Sequence, residues 1–248
     1  MKGYINKDNL VDFCTTNEAF LECDFNDLNA LAIEFPGFDG NSGLSGNFNN
    51  YRLDNEFALT LAKNKILLIY VFTGPWTWMR DVSIKTTDDI INAAFSKYNL
   101  NPNIKILLTG CSMGGLSALS YATYGKYKPN AVSVSCPACD LFKVSKFSHF
   151  FAASVYFDCA HYDSDYETAV KSLSPLYFVK DFPKVPYFIL WCDKDRVILP
   201  EENVIPLLEK MKEYGYETTS YRVKNRDHGE HTKESIDEFL NFMISNSI

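Results

Sequence analysis

Ile104-Lys105-Ile106-Leu107-Leu108-Thr109-Gly110-Cys111-Ser112-Met113-Gly114-Gly115-Leu116-Ser117-Ala118-Leu119 is the stretch on which the reading of this chain turns. Its first part, 104–108, is a short apolar run suited to a buried strand. Its last part continues to residue 122 as a small-residue helix. Between them stands Gly110-Cys111-Ser112-Met113-Gly114-Gly115, a G-x-S-x-G pattern with a strand before it and a helix after it. So sharp a turn strains the central serine, and glycines on both sides avoid collisions that a Cβ would cause. Ser112 would project its hydroxyl at the C-terminal edge of the sheet, near helix N-terminal amides that favour negative charge. Ser112 is therefore the candidate nucleophile, whereas Cys111 beside it is expected to be packed and inert.

Working outward, further apolar runs at 31–35, 66–72, 131–135, 187–191 and 219–223 alternate with helical patterns at 50–63, 87–98, 112–124, 201–214 and 233–244. That alternation predicts an α/β fold, a mostly parallel central sheet with helices on both faces. In the last helical segment Ile236, Phe239, Leu240, Met243 and Ile244 form one apolar stripe to lay on the sheet. Residues 137–179 break the rhythm, because they separate two strands by more than a usual link and carry Phe142, Phe147, Phe150, Phe151, Tyr156 and Phe157. A long insertion with its own apolar residues predicts a lid or cap. The whole of 1–248 is expected to be one domain.

A serine hydroxyl needs a base to take its proton, and the base needs an acid to fix its tautomer. The chain has four histidines, His149, His161, His228 and His231. In a fold of this kind the base follows the last strand, which selects His228 in Arg226-Asp227-His228-Gly229; His231 suits a surface or capping role at the next helix. For the acid, the run at 187–191 leads into Cys192-Asp193-Lys194-Asp195-Arg196-Val197. Asp195 is preferred to Asp193, and Asp140 after the preceding strand is an alternative. A tetrahedral intermediate also needs amide donors aimed at its oxyanion. Met113, after the nucleophile, would supply one, and Phe38, in Phe35-Pro36-Gly37-Phe38-Asp39-Gly40, the other.

Bulk composition narrows the function. Twenty-four basic against thirty-one acidic residues give a net charge of −7, which opposes nucleic acid and an anionic membrane surface as partners. The first twenty residues lack the pattern of a signal peptide and no segment is apolar enough for a membrane helix, so a cytoplasmic location is expected. Seven scattered cysteines fit free thiols, and Cys136-Pro137-Ala138-Cys139 has no second pair at zinc-ligand spacing. No metal or cofactor is expected.

Together these segments resemble the α/β-hydrolase superfamily from about residue 30 onward, and within it prolyl oligopeptidase-like hydrolases and the acetyl xylan and cephalosporin C deacetylase esterases. The likeness rests on Phe35-Pro36-Gly37-Phe38-Asp39-Gly40-Asn41-Ser42-Gly43, on Gly110-Cys111-Ser112-Met113-Gly114-Gly115, and on Ser174-Pro175, Val185-Pro186, Asp195 with Val197 and Pro200, and His228-Gly229. It implies an α/β-hydrolase fold with a Ser112, Asp195 and His228 triad and an oxyanion hole at Phe38 and Met113. Pro36 departs from the histidine usual in the esterases' loop, and Trp191-Cys192 from a common His-Gly pair.

The expected activity is cleavage of a carboxylic ester, with sugar acetyl or aromatic acyl esters as candidate substrates. A peptidase acting on short peptides and a non-catalytic binding module are the alternatives. Trp76, Trp78, Phe150 and His149 are the candidate substrate contacts, since aromatic faces near the site could stack on a ring or a sugar.

Overall fold

The computed structural model describes residues 5–42, 44–47, 53–74 and 76–248. Nine strands occur among them: β1 Cys14–Thr16, β2 Ala30–Phe35, β3 Asn41–Ser42, β4 Gly46–Asn47, β5 Ile66–Val71, β6 Lys105–Cys111, β7 Ala131–Ser135, β8 Tyr187–Cys192 and β9 Thr218–Val223. The helices are α1 Glu56–Lys63, α2 Asp81–Tyr98, α3 Met113–Tyr124, α4 Leu141–Val144, α5 His149–Cys159, α6 Tyr166–Leu173, α7 Pro175–Phe178, α8 Val204–Glu213 and α9 Lys233–Ser245. Seven strands form one sheet in the order β1-β5-β2-β6-β7-β8-β9, while β3 and β4 pair separately. Only β1 runs antiparallel to its neighbour in the large sheet.

Side-chain alternation along the strands explains the layers. On β2, Leu31, Ile33 and Phe35 join one apolar cluster, and Ala30 and Ala32 join the other. The second cluster takes Phe57 of α1 and the expected stripe of α9, with Phe239 packed on Phe57 and Phe188. Both faces of the central strands are thus buried, which is why they read as largely apolar runs and not as strict apolar–polar alternation.

Strand order then locates the site. The connection leaving β2 runs through α1 to β5 on one side, while that leaving β6 runs through α3 to β7 on the other. β2 and β6 are therefore the topological switch point, and a crevice opens beyond their carboxyl ends. Those ends carry the loop containing Phe38 and the turn at Ser112.

Several boundaries differ from expectation. The predicted helix at 50–63 begins only at Glu56, capped by the Asn55 side chain accepting from Ala58 N at 2.9 Å; residues 50–52 lie outside the described residues, as do Pro75 and Gly43. The helix expected at 87–98 starts earlier, at Asp81, and Ser112 precedes its helix instead of opening it. The interval 137–179 holds α4 to α7, all helical. Among the described residues no helix is long and apolar enough to cross a membrane.

Candidate active site

The turn after β6 has the strain its sequence implies. Ser112 sits at φ 61°, ψ −121°, outside the regions an L-residue ordinarily adopts. Neighbouring backbone holds it there, for Ser112 N–H donates to Ser135 O at 2.9 Å and Ser112 O accepts from Ala138 N–H at 3.1 Å. The glycines have specific reasons. A Cβ on Gly114 would stand 2.1 Å from the Phe35 carbonyl oxygen, and one on Gly110 would stand 2.4 Å from the Gly114 carbonyl oxygen. α3 can approach β2, at Gly114, and β6, at Gly110, this closely only without side chains at these points.

Asp195 and His228 meet from successive loops. His228 Nδ1 lies 2.6 Å from Asp195 Oδ2, and Asp195 Oδ1 accepts from Val197 N–H at 2.9 Å and Ile198 N–H at 2.7 Å. Each carboxylate oxygen is thereby committed and the acid is only 4% exposed. The two loops are tied together elsewhere as well. Lys194 N–H donates to Arg226 O at 2.9 Å, and Asp227 Oδ1 accepts from both Arg196 N–H and His228 N–H, at 2.9 and 2.8 Å. Burial pushes the His228 imidazole down, but the hydrogen bond and charge of Asp195 outweigh it and hold the ring above the usual histidine value. Burial likewise holds the Asp195 carboxyl above the usual carboxylate range, against the pull of His228.

Ser112 and His228 line one cavity of about 310 Å³ together with Gly37, Phe38, Ser42, Cys111, Phe151, Val197 and Gly229. Met113 is buried at the first position of α3, where a backbone N–H has no partner within the helix. The loop carrying Phe38 is anchored from below, because the Tyr70 hydroxyl donates to Gly40 O at 2.8 Å and the Ser42 hydroxyl donates to Glu34 Oε1. Glu34 is fully buried, and burial pushes its carboxyl up to about 7.

The other candidates fall elsewhere. Asp193 is used by Arg222, at 2.7 Å, and by Asn225 N–H, at 2.6 Å. Asp140 caps α4 by accepting from Phe142 N–H at 3.0 Å. His231 is not a helix cap, since Thr232 occupies that position; instead its Nε2 lies 2.6 Å from Ser135 Oγ. His161 is exposed in the turn that follows α5, its Nδ1 2.8 Å from Phe157 O.

Trp76 and Phe150 line a separate cavity of about 560 Å³, beside the first. Trp78 and His149 require correction as substrate contacts. Trp78 is 1% exposed and its ring backs Phe38 and Phe151, with Nε1 donating to Ser154 Oγ at 3.1 Å, while exposed His149 lines neither cavity. Sequence reasoning weighed Cys136 only as half of the C-x-x-C and missed its place behind Asp195 and His228. Its Sγ and ligand-capable atoms of Asp195 and His228 all lie within 4.8 Å of one another, although His228 Nδ1 and Asp195 Oδ2 are engaged with each other. Cys136 has φ 42° and Cys139 points its thiol at the Pro137 carbonyl, so the C-x-x-C is two free thiols.

Comparison with solved structures agrees with this architecture. A truncated carbohydrate esterase from gut microbiota superposes with a TM-score of 0.65 at 20% identity, over 91% of this chain and 88% of that one. Esterase B from Lactobacillus rhamnosis gives 0.67 at 16% identity, over 90% and 77%. A puromycin hydrolase gives 0.66 at 17% identity over 89% of this chain, but this chain spans only 34% of that protein. No family model matches the sequence, and no curated protein matches it. The chain has the α/β-hydrolase fold, as the sequence likeness implied.

Proposed function

We propose that the protein is a serine hydrolase that cleaves a carboxylic ester through an acyl-enzyme at Ser112. The observation carrying this reading is the 2.6 Å bond between His228 and Asp195 in a loop pair that delivers His228 to the cavity wall shared with Ser112. With Nδ1 committed to Asp195, the tautomer that protonates Nδ1 leaves Nε2 free to act as a base.

In this mechanism His228 Nε2 takes the Ser112 proton as Oγ attacks the ester carbonyl carbon. The N–H groups of Met113 and Phe38 stabilise the oxyanion. Collapse breaks the carbon–oxygen bond, and His228 returns the proton to the departing alcohol. Water, deprotonated by His228, then releases the acid and restores Ser112. Asp195 stabilises the imidazolium throughout.

An ester is favoured over a peptide because the carbohydrate esterase and esterase B are each matched along most of their own length. The peptidase reading draws on the likeness to an acylaminoacyl peptidase and to puromycin hydrolase, of which the chain spans 37% and 34%. A panel of short p-nitrophenyl esters and aminoacyl-naphthylamides of matched acyl group tests both. Ester turnover that falls at least about a hundredfold in Ser112→Ala is expected. Faster amide turnover would move the assignment to the peptidase, and ester turnover unchanged in Ser112→Ala would remove Ser112 from the reaction.

A further inference from the structure

The larger cavity, of about 560 Å³, lies between the segment leading into α2 and one face of α5, with Trp76, Arg80, Phe150, Phe157 and Asp158 among its walls. It shares an aromatic partition with the cavity at Ser112. Phe150 lines the larger cavity and its neighbour Phe151 the smaller, and both pack on Phe38, with ring centroids 5.5 and 4.5 Å away. Trp76 completes the outer wall, 5.7 Å from Phe150 and edge-on to it. Trp76 and Phe150 are 38% and 54% exposed, which leaves part of each residue accessible to an incoming group.

The polar groups of this cavity are unevenly spent. Asp158 accepts from Trp78 N–H at 2.8 Å through Oδ2 and pairs with Arg80 Nε at 3.3 Å through Oδ1. Thr77 and Ser83 share a hydrogen bond at 2.5 Å, and Ser154 donates to Phe151 O while accepting from Trp78 Nε1. The terminal nitrogens of Arg80 make no hydrogen bond among the described residues. Thr73 Oγ1 also has no hydrogen-bond partner among the described residues, but it is a buried neutral hydroxyl. The charged group the cavity has left to offer is the outer edge of the Arg80 guanidinium, a fork suited to a carboxylate. Asp158, the carboxylate in this lining, already faces Arg80 and the Trp78 N–H, so a cationic ligand would have to compete with Arg80 for it.

We infer that this cavity is a substrate subsite that holds an apolar, ring-bearing part of the substrate ending in a carboxylate, with the ring against Trp76 and Phe150 and the carboxylate on Arg80. The inference rests on the hydrolase reading for its position beside the reacting bond, but its ligand chemistry follows from the cavity alone. Arg80 acts here as a binding residue for a part of the substrate that does not react.

The test uses 3-phenylpropionate and its neutral analogue 3-phenylpropionamide as probes. Binding is measured by ligand-observed NMR on the full chain carrying Ser112→Ala, so that turnover plays no part, and inhibition of ester hydrolysis is measured on the wild type. The acid should bind at least about tenfold more tightly than the amide, the scale of one charge-assisted hydrogen-bonded pair. It should also inhibit competitively. Adding Arg80→Gln alone leaves Asp158 buried without its partner, so Arg80→Gln with Asp158→Asn is the variant to use, its fold checked by thermal unfolding. That variant should lose the preference for the acid while keeping affinity for the amide. Should it fail to fold, Arg80→Lys, which keeps the charge and loses the fork, should narrow the preference.

Equal binding of acid and amide, a preference indifferent to Arg80, or non-competitive inhibition in an active enzyme would overturn the subsite and leave the hydrolase reading standing. An Arg80-dependent preference in a chain that hydrolyses no ester would do the reverse: the ligand chemistry would stand and the hydrolase reading would fall.

Discussion

Asp195 Oδ2 lies 2.6 Å from His228 Nδ1 while Asp195 Oδ1 is held by two backbone N–H groups, so the carboxylate reaches the ring from a fixed position. If the carboxylate sets the ring's tautomer, an amide in its place should spoil the reaction without moving the residues. Asp195→Asn is expected to lower kcat by roughly 10³–10⁴-fold with a small change in KM. Steady-state kinetics on one p-nitrophenyl ester measures both, and a loss under tenfold would assign the acid elsewhere.

The raised pKa of His228 sets opposite pH trends for activity and stability. A base must be neutral, so kcat/KM should rise as pH climbs through the His228 value, which lies above that of an ordinary histidine. The same shift means that the folded state binds this proton more tightly than the unfolded chain. Its stabilising contribution is full below about 6.5, the ordinary histidine value, and is lost as pH rises through the folded value. A pH–rate profile should therefore show its acid limb centred above the ordinary histidine value, moving down in Asp195→Asn. An acid limb below that value would contradict the electrostatic account.

Glu34 has a different signature. Burial raises its carboxyl from 4.5 to about 7, so the neutral form suits the fold. Stability from this group is fully present below the unfolded value, falls between that value and the folded one, and stays reduced above; the loss is on the order of 3 kcal/mol. Glu34→Gln keeps an acceptor for Ser42 and cannot ionise. Urea unfolding should show the variant gaining on the wild type between pH 5 and pH 8, whereas a constant difference would mean that Glu34 is not shifted.

Gly114 is a packing requirement. Its missing Cβ would meet the Phe35 carbonyl oxygen at 2.1 Å, in a central strand with neighbours on both sides. Gly114→Ala should cost about 1–3 kcal/mol or more in denaturant unfolding, and the displaced α3 should reduce activity further. A variant as stable and active as the wild type would mean that α3 and β2 are not so closely packed.

The sheet was legible because β2, β5, β6, β7 and β8 are buried on both faces, which leaves unbroken apolar runs in β5 and β8 and apolar runs interrupted only by Glu34 in β2, Thr109 in β6 and Ser133 in β7. β1 was not, since Cys14-Thr15-Thr16 is too short to show alternation. The first turns of α2 escaped because Val82, Ser83, Ile84 and Thr86 are indifferent helix formers, and tertiary packing of Ile84 and Ser83 decides the matter. Chain order pointed to Asp195 and His228, whereas the choice between Asp193 and Asp195 is explained only by Arg222, a strand away, which takes the first. The larger cavity was legible only in part. Trp76 and Phe150 stood out as aromatics, but Arg80 and Asp158 come from distant segments and nothing local marks them as a pair.

A fluorophosphonate probe, with the modified residue located by mass spectrometry, tests the central claim most directly. The account predicts one adduct on Ser112, absent in Ser112→Ala and formed far more slowly in His228→Ala. No adduct on a folded protein, or an adduct on another residue with ester turnover intact in Ser112→Ala, would contradict it.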